Sequence, residues 1–439
     1  MSSWWCEQAW LGEGPVARVR VEAAAGVVTA VHRGAAPMPG DTRLVGLVLP
    51  GFANAHSHAF HRALRGRTHD EGGTFWTWRE RMYAVAQRLD PDSYLALARA
   101  TYAEMALAGV TCVGEFHYLH HGPGGAAYDD PNAMGEALRQ AARDAGIRLT
   151  LLDACYLAGG LDPEGHTALS PVQQRFSDRS AVSWARRVGE LRPDDGMRVG
   201  AAIHSVRAVP RRELADVAAA LPEAPLHAHL SEQWAENEAA MAFYGLTPTE
   251  LLAGAGALGP RTTVVHATVG ADLTLLGSTG TGVCFCPTTE RDLADGIGPA
   301  RLLADHGSPL CLGSDQNAVI DLLEEARALE MHERLHFLER GRFTPAELVA
   351  ALTVNGHGAL GWPEAGSIAV GAPADLVEVR LDTVRTAGTA AAQAIYAASA
   401  ADVSTVVVGG RTVVEGGQHI LGDVAALLRD AIAPLWQDP

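Results

Sequence analysis

Residues Val48 to Arg65 read V-L-P-G-F-A-N-A-H-S-H-A-F-H-R-A-L-R. Val48 and Leu49 end a short apolar strand, Pro50 and Gly51 interrupt it, and the chain then delivers His56 and His58 two residues apart. On a strand, residues i and i+2 point to the same side, so both imidazoles face one point in space. Such a pair suits Zn²⁺, which takes imidazole nitrogen at roughly 2.0 to 2.1 Å. Two half-buried structural histidines fit the same pattern, and the rest of the chain decides between the readings.

The flanks differ from the middle. Residues 1 to 48 alternate polar and apolar side chains, as in A-R-V-R-V-E at 17–22 and G-V-V-T-A-V at 26–31, with Gly-rich turns between. This is the texture of short strands. It returns in G-S-I-A-V-G-A-P-A-D-L-V-E-V at 366–379 and from Val403 to Glu415, while Asp423 to Trp436 has helical spacing. The pattern predicts a small β-sandwich domain assembled from residues 1–48 and 365–439, the second part closing with a helix. Between them, residues 49–364 alternate amphipathic segments with apolar runs at 109–116, 147–156, 197–204, 225–230, 262–267, 282–286 and 309–313. With the run before His56, these make eight strands separated by helices, which predicts an α/β chain with a (β/α)₈ TIM-like barrel. An open doubly wound sheet is the alternative, but no Gly-rich dinucleotide loop follows the first strand.

Composition narrows the chemistry. The 439 residues are 48% hydrophobic and 19% charged, as in a folded chain with a sizeable core. The net charge of −17 argues against nucleic acid or an anionic membrane surface as a partner. The sequence contains no lysine. Schiff-base and pyridoxal-phosphate enzymes, Walker-type phosphate loops and two-metal sites bridged by a carbamylated lysine are thereby excluded. Cys6, Cys112, Cys155, Cys284, Cys286 and Cys311 sit mostly in apolar runs and read as buried reduced thiols. Cys284-x-Cys286 has the spacing of half a metal site, but no second cysteine pair or nearby histidine completes one, so the pair reads as buried thiols. The N-terminus lacks the pattern of a signal peptide and no apolar stretch is long enough to span a membrane, so the expected location is cytoplasmic.

Barrel enzymes carry their chemistry at the carboxyl ends of the strands. Here those ends hold His56 and His58; Glu115, His117 and Tyr118; His204 with Arg207 close behind; His227, His229 and Glu232; His266; and Asp315 with Gln316. His56, His58, His229 and Asp315 make an open site for one divalent metal, most simply zinc, with a position left for water. Zinc lowers the pKa of that water toward about 7 and supplies hydroxide at neutral pH. Glu232, three residues past His229, is placed to take the water's proton and hand it to a leaving nitrogen. His266 would orient the hydroxide and stabilise negative charge. His227 lies deeper on the same strand face and reads as a packed histidine, with a ligand role in place of His229 as the alternative.

P-G-x-x-N-x-H-x-H at 50–58, H-x-x-E at 229–232, the lone His266 and G-S-D at 313–315 resemble the amidohydrolase superfamily in its one-metal deaminase branch. G-x-I-x-x-G-x-x-A-D from Gly366 to Asp375 is similar to the returning β-domain of the same enzymes. Within that branch, H-S-H-A-F-H-R-A at 56–63, F-W-T-W-R-E at 75–80, E-F-H-Y-L-H-H at 115–121, H-S-V-R at 204–207 and H-A-H-L-S-E-Q at 227–233 look like the formimidoylglutamate deiminase family. The resemblance implies water attack on a formimidoyl carbon and release of ammonia, as part of histidine degradation. It assigns substrate contacts to His61, Arg79, Tyr118, His204 and Arg207, and suggests a homodimer. A dicarboxylate substrate agrees with the arginines, because guanidinium groups pair carboxylates bidentately. Two positions depart from the family's usual pattern: His61, often glutamine there, and Asn317, often histidine.

Two other functions stay open. One is a one-metal aminohydrolase of a purine, adenosine derivative or triazine, whose flat neutral ring favours aromatic and amide contacts. The other is a non-catalytic binding protein on the same barrel, opposed by the complete ligand set. Gly72-Gly73 and Gly122 to Gly125 mark points where a covering loop could flex.

Overall fold

The apolar runs of the middle region become the staves of a barrel. The computed structural model describes residues 2–69 and 75–437. Its parallel barrel sheet runs through Phe52–Ser57, Val110–His117, Arg148–Cys155, Met197–Ile203, Leu226–Leu230, Thr262–His266, Gly282–Phe285 and Leu310–Leu312 in that order. Each neighbouring pair is parallel, with helices in the connections. Phe52–Ser57, Val110–His117 and Arg148–Cys155 are buried along their whole length, since one face meets the barrel interior and the other the helices. The Ala-rich segment after the first strand is the helix Pro91–Leu107, started by an Asp90/Ser93 capping box with proline in its first turn.

Both chain ends build the second unit, an eight-stranded mixed sheet. The returning strand Leu376–Val379 pairs antiparallel with Thr42–Pro50, setting Val377 opposite Leu49, and Thr42–Pro50 lies parallel to Ser2–Leu11 on its other side. These strands enclose a core of their own that includes Trp4, Val19, Val21, Leu44, Val48 and Val407. Val48 and Leu49 therefore belong to this sheet. Gly51 separates them from the barrel strand that carries the histidines. Val424–Ile432 is the closing helix.

Gly122 to Gly125 form a hydrogen-bonded turn, with Gly122 N–H donating to the Ala126 carbonyl at 2.7 Å. Gly72-Gly73 lie outside the described residues. Among the described residues, no helix is long and apolar enough to cross a membrane.

Candidate metal centre and active-site cavity

Closing the barrel creates the centre. Asp315 N–H donates to the His56 carbonyl at 3.0 Å and His58 N–H donates to the Asp315 carbonyl at 2.9 Å, so the extension of the last strand lies against the first. Gly313 permits the approach: a Cβ there would stand 2.7 Å from the His56 oxygen. Asn54 locks the seam, its amide donating to Ser314 Oγ at 2.7 Å and its oxygen accepting from Ser314 N–H at 2.9 Å. His56, His58 and Asp315 thus become neighbours through backbone pairing, and His229 reaches them from the fifth strand. Backbone strain gathers at the same level, with positive φ at Ser231 (50°), His266 (74°) and Asp315 (42°).

The ligand atoms of His56, His58, His229 and Asp315 all lie within 4.8 Å of one another. His56 Nε2 is 3.1 Å from His229 Nε2, and Asp315 Oδ1 is 3.4 Å from both His56 Nε2 and His58 Nε2. The tautomers follow from the partners. His58 Nδ1 meets the Phe116 carbonyl and His229 Nδ1 the His204 carbonyl, each at 2.8 Å. A carbonyl only accepts, so both Nδ1 atoms carry the proton and both Nε2 lone pairs face the centre. Burial pushes His56 down to about 3 and His229 well below the usual imidazole range, so the facing nitrogens are unprotonated. Lone pairs converging beside an ionised carboxylate fit a cation, and three imidazoles with one carboxylate are a donor set for a divalent one. His227 stands outside the cluster, its Nε2 on the Ala359 carbonyl at 2.9 Å.

An acidic group flanks the centre. His266 Nε2 lies 3.7 Å from Glu232 Oε1 and 3.8 Å from Asp315 Oδ2, and its Nδ1 is 3.4 Å from Glu290 Oε1. Burial works against its charge, but these carboxylates outweigh it and raise His266 to about 10. Glu232 Oε2 accepts from Arg207 at 3.0 Å, and the same guanidinium is 3.6 Å from Glu236. Sequence reasoning passed over Glu236, Glu290 and Asp295. Glu236 follows Glu232 at helical spacing, which was the available signal. Asp295 sits in the loop after the seventh strand, takes a hydrogen bond from Gln233, and is raised by burial and by Glu232 to about 9.

A cavity of about 250 Å³ opens onto this group. His58, His229, Asp315, Glu232, His266 and the five expected substrate contacts line it, whereas His56 is fully buried behind and Glu115, His117, His227 and Gln316 are not among its lining residues. His61 Nε2 is 2.8 Å from the Tyr118 hydroxyl, so these two form a pair in the wall. The Arg79 guanidinium lies over the Tyr83 ring at 5.6 Å, and Arg207 is tied to Glu232 as described. Asn317 is structural, its amide donating to the His58 carbonyl at 3.0 Å.

Among the described residues, two further clusters hold metal-type side chains. In His117, His120 and Asp153, both carboxylate oxygens of Asp153 are bound by Arg187 at 2.8 and 2.9 Å, so the partner there is a guanidinium. In the second, donor atoms of His266, Cys286 and Asp315 lie within 4.8 Å of one another. That corrects the expectation that no histidine stands near Cys284-x-Cys286, because pairing of the sixth and seventh strands brings them together. All six cysteines are buried and free.

This barrel, with a His-x-His seam, a fifth-strand histidine and an eighth-strand aspartate, presents a candidate site for a divalent metal. The chain belongs to the amidohydrolase family, whose sequence pattern matches residues 47–413, and it is an enzyme that hydrolyses C–N bonds. It is 36% identical to a formimidoylglutamate deiminase from Pseudomonas aeruginosa over 95% of this chain and 96% of that one. It is 31% identical to an 8-oxoguanine deaminase from the same organism, over 87% and 85%. An amidohydrolase structure from Brucella melitensis superposes with a TM-score of 0.91 at 33% identity, covering 100% of both chains.

Proposed function

We propose that the chain hydrolyses N-formimidoyl-L-glutamate to N-formyl-L-glutamate and ammonia, as a step of histidine degradation, with one zinc ion held by His56, His58, His229 and Asp315. The observation that carries this reading is one 250 Å³ cavity containing three of those ligands, Glu232 and two arginines, in a chain of net charge −17. Cationic side chains at that spot in so acidic a protein suit an anionic substrate. The likeness to formimidoylglutamate deiminase supports it.

The cation, when bound, supplies the acidification of water that makes attack feasible at neutral pH. A new C–O bond forms at the formimidoyl carbon and its C–N bond to the terminal nitrogen breaks. Glu232 takes a proton from the water and delivers it to the terminal nitrogen, and the remaining hydroxyl proton follows by the same carboxylate, so that both protons of the water leave with that nitrogen as ammonia. Arg207 fixes the Glu232 carboxylate for that transfer. His266, kept protonated by its carboxylate neighbours, donates to the oxygen on which charge accumulates. Tyr118, His61, His204, Arg79 and Arg207 orient the dicarboxylate.

The experiment is an ammonia-release assay with N-formimidoyl-L-glutamate against a panel of purines, adenosine derivatives and triazines. Release from the amidine alone is expected. A second reading, aminohydrolysis of a flat ring, is favoured by the aromatic walls Tyr118, Tyr156 and Phe176; release from a ring substrate alone would establish it. The reading carries with it a cytoplasmic location and a homodimer, which light scattering tests as twice the 46.2 kDa chain.

A further inference from the structure

Gln173 stands on the loop after the third barrel strand and is 4% exposed, yet its amide organises the outer wall of the cavity. Its oxygen accepts from Ser170 N–H at 2.9 Å. Its nitrogen lies 2.8 Å from the Gly159 carbonyl, 2.9 Å from the Tyr156 hydroxyl and 3.0 Å from the Tyr83 hydroxyl. Exchanging the amide oxygen and nitrogen would set carbonyl against carbonyl at Gly159 and N–H against N–H at Ser170, so the orientation is fixed. An amide NH₂ only donates. Its two hydrogens are shared among three oxygens, so a phenol oxygen facing this nitrogen can only accept, and neither phenol proton is used there. Among the described residues the side-chain hydrogen-bond partner of both hydroxyls is Gln173, so the phenol protons remain for an acceptor. Both rings line the cavity.

The pair occupies the end of the cavity away from the metal ligands. The His204 ring lies 5.2 Å from His229, Tyr156 a further 4.5 Å from His204, and the Arg79 guanidinium covers Tyr83 at 5.6 Å. A phenol O–H that Gln173 does not use, on the cavity wall beside a guanidinium, suits a carboxylate. We propose that Tyr83 and Tyr156, oriented by Gln173, form an outer carboxylate subsite that accepts the side-chain carboxylate of the substrate. This rests on the formimidoylglutamate reading above. In that substrate the α-carbon bears both the formimidoyl-substituted nitrogen and the α-carboxylate, while the other carboxylate is two methylenes further out. The outer subsite selects for it, and Gln173 is a positioning residue that touches no substrate.

The test measures kcat and KM for N-formimidoyl-L-glutamate and for N-formimidoyl-L-norvaline, in which a methyl replaces the side-chain carboxylate. The enzymes are wild type, Gln173→Met, Tyr83→Phe and the Tyr83→Phe/Tyr156→Phe double variant, each checked for a cooperative thermal transition. The double variant should lower the preference for the diacid roughly 10- to 100-fold, the range for a hydrogen bond to a charged group, almost wholly through KM. Norvaline turnover should stay level, and Gln173→Met should shift the preference the same way by less. An unchanged preference, or an equal fall for both substrates, overturns the subsite. If wild type turns over neither compound, the formimidoylglutamate reading fails by itself. Calorimetric titration with N-formyl-L-glutamate and N-formyl-L-norvaline then decides the subsite: weaker binding of the diacid alone in the double variant supports it, and equal binding overturns it.

Discussion

The floor and the mouth of this barrel treat buried polar groups in opposite ways. At the floor, where the β-sheet docks, Arg148 reaches both oxygens of Asp375 at 2.5 and 2.9 Å, and Asp375 also accepts from Gly409 N–H at 2.8 Å. Close by, Trp362 donates to Thr150 Oγ1, which itself donates to the Leu360 carbonyl. At the mouth, His56 Nδ1, His61 Nδ1, both Glu236 oxygens and Asp295 Oδ2 are buried without a hydrogen bond. Unpaired buried groups destabilise a fold, and the mouth gathers several of them around one cavity, where the floor leaves His357 Nε2 beside an otherwise paired network. The Arg148–Asp375 network ties the sheet to the barrel, and the unpaired carboxylates of Glu236 and Asp295 lie beside the candidate site. Substitutions should therefore separate the regions, costing activity at the mouth and stability at the floor.

The largest effect is expected from the ligand set. His229→Asn should drop metal content well below one ion per chain by elemental analysis and take activity with it, and a chelator should do the same to wild type until zinc is returned. Next is Glu232→Gln, which should retain metal but lose roughly 10²- to 10⁴-fold in kcat, the usual contribution of a general acid or base; a near-normal rate would remove Glu232 from that role. At the floor, Arg148→Met leaves Asp375 buried without its guanidinium, and chemical denaturation should register a loss of about 3 to 5 kcal/mol with kcat per folded molecule unchanged. If kcat collapsed there too, the division between the regions would be wrong.

The smallest effect is a pH dependence. Burial raises Glu236 from 4.5 to about 6 against the pull of Arg207. Its folded pKa exceeds the unfolded one, so the native state holds the proton more tightly and stability declines as pH rises from about 4.5 to 6. The total is about 2 kcal/mol. Glu236→Gln should flatten that segment of the stability–pH curve, and an unaltered slope would show that the carboxyl is not strained.

The seam residues were legible in the sequence because strand periodicity and metal chemistry coincide there. His56, His58, His229 and Asp315 each end an apolar run, and histidine is conspicuous in that position. The sequence favoured His229 over the deeper His227 as the ligand, and the coordinates separate the two by the partners of their ring nitrogens. Gln173 was out of reach, because it sits in a long irregular loop where no period links it to Tyr83, ninety positions earlier. Arg207 was legible as a cation at the site but not as the partner of Glu232, a pairing made by the geometry of adjacent strands.

The most direct test of the central claim is anomalous diffraction at the zinc edge from crystals of the zinc-loaded protein. The account predicts one strong peak per chain, about 2.0 to 2.2 Å from Nε2 of His56, His58 and His229 and from an oxygen of Asp315. A peak held by His266 and Cys286 instead, or no peak among the three imidazoles, would contradict it.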